Sequence, residues 1–201
     1  NMNRKEKIGN FVGRKINLLQ AEADYGAGKA LMADLRRGIG HEPGEMPRLF
    51  GLILQDMPEE FLSGNGETTE GEWACYLALT LFSLHQQGYE IKSQPMHIDG
   101  KRSIGRAMSR LASSYEDANG EQRMLQRLQA LATSVNMKEV SHHLRGIVQL
   151  LKSKGIPLDY VMLAKDLYEL QFPEGKNRVC LRWGQDFYRK EKEEMEESIY
   201  G

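Results

Sequence analysis

Cysteine is nearly missing: the 201 residues contain two, Cys75 and Cys180. Two thiols this far apart exclude a disulfide framework. Each stands near a tryptophan, Trp73 and Trp183, in an apolar stretch, so both read as small buried hydrophobes in a reducing compartment. There is no CxxC and no Cys/His spacing that would hold zinc. No apolar run approaches the roughly 20 residues needed to cross a bilayer. No charged, then apolar, then small-residue leader pattern opens the chain, so the expected location is cytoplasmic. Runs of alternating β-branched and aromatic residues are missing too, and no sheet of consequence is expected. Excess charge of either sign is also lacking: 27 Lys+Arg face 28 Asp+Glu, a net charge of −1, without the overall basic surplus of many nucleic-acid proteins.

What is present is helical periodicity along almost the whole chain. Ile8, Phe11, Val12, Ile16 and Leu19 mark a helix over about 5–23, and a second runs over about 28–37 until Gly38 and Gly40 stop it. A short helix is expected at 49–55. Thr69 with Glu72 makes a capping box ahead of the most apolar segment, to about Gln87, where Trp73, Leu77, Leu81 and Leu84 share a face and Leu79 and Phe82 widen it. That breadth predicts a central helix. Further helices are expected over 103–114, 119–133, 136–153 and 159–172, and a last one from about Asn177 after a break at Pro173 and Gly175. The fold class predicted is all-α: a bundle of about nine helices, in two packed helical halves, 1–115 and 116–201, the second ending in an acidic tail.

The net charge conceals a partition. Residues 1–40 carry +4, 41–70 carry −6, 71–100 carry −2, 101–154 carry +6, 155–190 carry +1 and 191–201 carry −4. Within the +6 block, Lys101, Arg102, Arg106 and Arg110 occur with no acid between residues 101 and 115. The spacing puts Arg102, Arg106 and Arg110 on one face of one helix, where like charges destabilise unless a partner meets them. Arg123 and Arg127 are four apart; Lys138, His142, Arg145 and Lys152 form another stripe; Arg178, Arg182 and Arg189 form a third; Arg36 and Arg37 end a helix. Arginine's planar fork suits phosphate, and phosphate contacts are blind to base sequence. Because the aromatics fall on apolar faces, backbone tracking is expected rather than base stacking.

Catalytic constellations are weak. HExxH and GxxxxGK are absent. His142 and His143 are adjacent, so on a helix they diverge by about 100° and make a poor joint metal site. His97 and Asp99 lie in a loop without the remaining ligands of a metal hydrolase. No cofactor and no small-molecule substrate are expected. A metal-dependent hydrolase using His97, His142 or His143 is the remote alternative. A helical protein–protein scaffold that docks its arginines on acidic protein surfaces is the nearer one.

Six stretches together resemble the CasB family, the small subunit of the type I-E CRISPR surveillance complex Cascade. They are Leu35-Arg36-Arg37-Gly38 with Pro43-Gly44-Glu45-Met46-Pro47; Leu84-His85-Gln86-Gln87-Gly88; Met96-His97 with Ser103-Ile104-Gly105-Arg106-Ala107; His143-Leu144-Arg145-Gly146; Ile156-Pro157-Leu158-Asp159-Tyr160; and Val179 to Tyr188. The resemblance covers about residues 11–190. It implies a non-enzymatic helical subunit present in two copies, beside the backbone subunits and the large subunit, that helps hold the hybrid of crRNA and target DNA and the displaced strand open. Motif position implies nucleic-acid contacts at Arg36, Arg37, Arg106, Arg145 and Arg182. Spacing alone adds Lys101, Arg102, Arg110, Arg123, Arg127 and Arg178. Gln185 stands where the family often has a basic residue, which would weaken a phosphate contact near Arg182. The acidic stretch 56–72 and the acidic tail are expected to face solvent or basic neighbours.

Overall fold

The computed structural model describes residues 2–100 and 102–189; Lys101 and the acidic tail lie outside them. Among the described residues the chain forms nine α-helices: α1 (Arg4–Ala21), α2 (Gly26–Arg37), α3 (Phe50–Ile53), α4 (Glu70–Gln86), α5 (Ile104–Ser113), α6 (Gly120–Ala132), α7 (Met137–Ser153), α8 (Tyr160–Glu169) and α9 (Pro173–Tyr188). Three 3₁₀ turns fill the stretch from Pro43 to Phe61 around α3. The only β pairing among the described residues is a single parallel bridge between His97 and Leu158.

The helices begin where side chains can satisfy the first backbone N–H groups. Asn3, Thr69, Ser103, Asn136 and Asp159 each accept a hydrogen bond from the backbone N–H three residues on. At Thr69 the box is reciprocal, with Glu72 N donating to Thr69 Oγ1 at 3.1 Å and Thr69 N to Glu72 Oε2 at 2.9 Å. Two boundaries differ from expectation. The helix expected at 49–55 shrinks to one turn of α3 after a 3₁₀ turn at Pro47–Leu49. Pro173 does not break a helix; it opens α9, since at the first helical position its missing N–H has no partner to lose.

α4 is the centre. Its buried residues run round the whole circumference from Gly71 to Gln86, while Trp73 and Leu84 are half-buried. A helix apolar all round must be enclosed by others, and α1, α2, α7 and α8 all lie against it. Ile8, Phe11, Val12, Ile16 and Leu19 of α1 are fully buried, facing α8 and α4. α5 joins α6 and α9. The turn at 114–119, the expected border between halves, links α5 to α6, and helices on both sides of it share one apolar core.

The long connection between α4 and α5 is fastened rather than loose. Gln86 Oε1 accepts from Met96 N at 2.8 Å, and its amide donates to Tyr89 O and Gln94 O. Leu158 N donates to Met96 O at 3.0 Å, and Asp159 N to Arg102 O at 2.8 Å. Tyr160 N donates to His97 Nδ1 at 3.0 Å, which leaves the ring proton on Nε2, 3.0 Å from Asp99 Oδ1. The Tyr160 hydroxyl lies 2.9 Å from His85 Nδ1. His85 is fully buried, and burial pushes its imidazole down to about 4.

Candidate nucleic-acid interface

Three of the expected arginines meet in one groove. α6 and α7 pack side by side, and the channel between them is lined by Arg123, Arg127, His142, His143, Arg145 and the small Gly146. Steps of four (Arg123, Arg127) and of three and four (His142, Arg145, Gly146) put these residues on the facing sides of the two helices. No carboxylate lines this groove among the described residues. Arg127 and Arg145 are exposed and form no ion pair among the described residues. Gly146 makes room: a Cβ there would stand 3.4 Å from Arg127 Nη1. His142 and His143 do diverge, yet their rings touch edge to face at 5.3 Å and both border the groove.

Arg123 is shared. It forks onto Asp117 at 2.7 and 2.9 Å, holding that carboxyl down to about 2, and lies 5.1 Å from the centre of the Tyr115 ring. Arg36 and Arg37 end α2 beside the same region. Arg145 Nη1 comes within 4.0 Å of where a Cβ on Gly40 would stand, and Lys138 pairs with Glu42 at 2.6 Å. Arg37 itself pairs with Asp34 at 2.7 Å.

A second concavity, between α5 and α9, is lined by Arg106, Arg110, Asp117, Glu121, Tyr188 and Arg189. Asp117 precedes α6 and Glu121 lies in its first turn, and Arg123 of the first groove reaches Asp117. Arg102 is not on the α5 face as its spacing suggested: Ser103 is the N-cap and the helix begins at Ile104, so Arg102 lies outside it, half-buried, its carbonyl bound by Asp159 N. The expectation that basic faces carry no exposed aromatic also fails, because Tyr188 is 58% exposed in this concavity. Alternation at the end of α9 turns Phe187 inward and Tyr188 outward, a signal present in the sequence.

Arg178 and Arg182 are both paired with carboxylates of α8, Arg178 at the surface with its side chain 63% exposed and Arg182 half-buried. Arg178 Nη2 lies 3.2 Å from Glu169 Oε2, and Lys5 meets the other oxygen at 2.5 Å. Arg182 pairs with Asp166, whose second oxygen accepts from Trp183 Nε1 at 2.7 Å. Burial pushes the Asp166 carboxyl up, against the pull of Arg182 and the indole N–H. Lys101 lies outside the described residues.

His97 and Asp99 gain a neighbour that the sequence did not reveal. Asp159 brings a carboxylate oxygen within 4.8 Å of them. Its two oxygens accept backbone N–H groups from Met162 at 2.9 Å and Gly100 at 2.6 Å. The trio is thus a clasp between the connecting loop and α8.

The chain matches, over residues 31–188, the family described as CRISPR-associated protein Cse2. It is similar to the crystal structure of CasB from Thermobifida fusca, at 32% identity and a TM-score of 0.74, over 91% of this chain and 98% of that one. A CRISPR-associated protein of the Cse2 family from Thermus thermophilus shares the fold at 24% identity and a TM-score of 0.62, over 93% of this chain and 99% of that one. Among curated proteins no relative matches significantly. On the family match and the shared all-α fold, the chain belongs to the CRISPR-associated Cse2 family, the family of CasB.

Proposed function

We propose that this protein is the small, non-enzymatic subunit of a type I-E CRISPR Cascade complex in the cytoplasm. It binds nucleic-acid backbone without sequence preference and steadies the R-loop of crRNA and target DNA, including the displaced strand. Backbone subunits, the large subunit and a second copy of the chain are its protein neighbours. The observation that carries this reading is the α6–α7 groove, where Arg127 and Arg145 face solvent with no carboxylate lining the channel among the described residues. Unopposed guanidinium groups suit phosphate oxygens, and a DNA-binding test separates this reading from a scaffold that docks the same arginines on acidic protein surfaces. Exchange of a DNA duplex for an RNA–DNA hybrid is close to balanced, so a few backbone contacts tip it.

Within the proposed site, Arg36, Arg37, Arg106, Arg110, Arg123, Arg127 and Arg145 remain backbone contacts, with Arg102 at the margin and Lys101 included on its sequence alone. Arg178 and Arg182 serve chiefly to hold α9 on α8. The test is filter binding of random-sequence DNA at low and high salt, with wild type and the double variant Arg127→Glu, Arg145→Glu. Wild type binds at low salt, and the double variant loses at least about tenfold in affinity. Equal binding by the two proteins would sink the groove, and no binding by either would favour the scaffold reading.

A further inference from the structure

Tyr188 is the large aromatic that the described basic surface exposes. It ends α9, is 58% exposed, and lines the concavity that also holds Arg106, Arg110 and Arg189. Its ring meets the buried Phe187 edge to face, with centres 5.1 Å apart and planes at 87°. That contact fixes an aromatic ring on the surface instead of letting it sweep.

The wall behind it is rigid. Gly105 of α5 lies so close to α9 that a Cβ would stand 2.2 Å from Trp183 O. Ser103 Oγ donates to Asp186 Oδ2 at 2.8 Å. These two contacts set Arg106 and Tyr188 on one concave surface. Arg106 lines the concavity with no ion pair among the described residues, whereas Arg189 lies 3.6 Å from Asp186 Oδ1.

The concavity is of mixed sign, because Asp117 and Glu121 line its other side. Asp117 is anionic, held so by Arg123. Two phosphate chains running side by side, as in a duplex, would bring one against these carboxylates. One chain can lie along the arginines alone. Paired bases inside a duplex also hide their faces from a side chain, whereas an unpaired base can stack on an aromatic ring at about 1–3 kcal/mol per base.

We propose that the α5–α9 concavity is a single-strand site, in which Tyr188 stacks on an unpaired base while Arg106 holds the adjoining phosphate. This deepens the nucleic-acid reading and rests on it. The two can fail separately, because the α6–α7 groove carries the backbone binding and Tyr188 carries only the preference for unpaired strands.

The experiment compares wild type, Tyr188→Ala and Tyr188→Phe for binding to an oligo(dT) single strand and to a duplex of equal length at one low salt concentration. The expected result is a loss of roughly tenfold for Tyr188→Ala on the single strand, duplex binding within about twofold of wild type, and Tyr188→Phe close to wild type. The salt dependence of single-strand binding keeps its slope in Tyr188→Ala, because no phosphate contact is removed. Equal single-strand binding by wild type and Tyr188→Ala overturns the site. So does a parallel loss on duplex and single strand, or failure of Tyr188→Phe to retain binding. If wild type binds neither nucleic acid, both this site and the proposed function fall.

Discussion

Arginines in similar i, i+4 stripes have different duties here, and the difference lies in what faces them. Arg182 meets the buried Asp166 from α8, 16 residues away, while Arg127 meets solvent. Removing Arg182 leaves a carboxylate buried with only the Trp183 N–H, and such breaks cost several kcal/mol when both partners are fully buried. The Arg182 side chain is 35% exposed, so Arg182→Ala is expected to destabilise by about 1–3 kcal/mol. Arg127→Ala should change stability by less than about 0.5 kcal/mol; urea unfolding distinguishes the two. Spacing could not make this distinction, since an i, i+4 stripe reports a shared face and not what is opposite it. His85 gives a second prediction at this scale. Its imidazole is held near 4 in the fold against an ordinary 6.5. The unfolded chain therefore takes up a proton first as pH falls, and the stabilisation is complete above about 6.5 and lost progressively down to about 4. Wild type should lose about 2 kcal/mol from this group between pH 7.5 and 5. His85→Phe should show a curve flatter by that amount, whatever its stability at pH 7.5.

At the scale of elements, the helices were readable because each apolar stripe follows a 3.6-residue period and a capping side chain announces its start. α7 shows both: Asn136 caps it, and Val140, Leu144, Ile147, Val148 and Leu151 are all buried as expected. What the sequence could not display is convergence. His85-Gln86, Met96-His97 and Asp159-Tyr160 looked like separate motifs, yet they form one network joining α4, the following loop and α8. Much of the family resemblance is thus scaffolding, with the charged residues riding on it. The His97–Tyr160 and His85–Tyr160 pairings, 63 and 75 residues apart, leave no local periodicity to detect. The α5–α9 contact offers the prediction. Gly105→Ala forces its methyl onto Trp183 O and should destabilise by at least about 2 kcal/mol, since overpacking here must shift backbone. Gly184→Ala, in the same α9 with nothing within 4 Å of the new Cβ, should instead be neutral or stabilising by up to about 1 kcal/mol. Thermal unfolding of the two variants should move in opposite directions or leave Gly184→Ala unmoved.

For the whole molecule, near-neutrality is a sum of opposed regions, and the structure gathers much of the positive part on α5, α6 and α7. If about four phosphates are contacted there, affinity should fall on the order of 10²-fold between roughly 50 and 200 mM salt, which sets the scale for the two-salt measurement on wild type. A protein of net charge −1 gains little long-range steering toward DNA, so under the proposed function partner subunits would supply much of the local concentration. The packing of α1 on α8 carries a consequence in time. Lys165 pairs with Glu6 across 159 residues, and the fully buried face of α1 packs chiefly on α8 and α4. A ribosome adding about 5–20 residues each second needs roughly 7–30 s to pass from α1 to α8. Through the later part of that interval Ile8, Phe11, Val12, Ile16 and Leu19 have α4 to pack against but not α8. The core therefore closes late in synthesis, with α1 waiting for α8 to complete its cover.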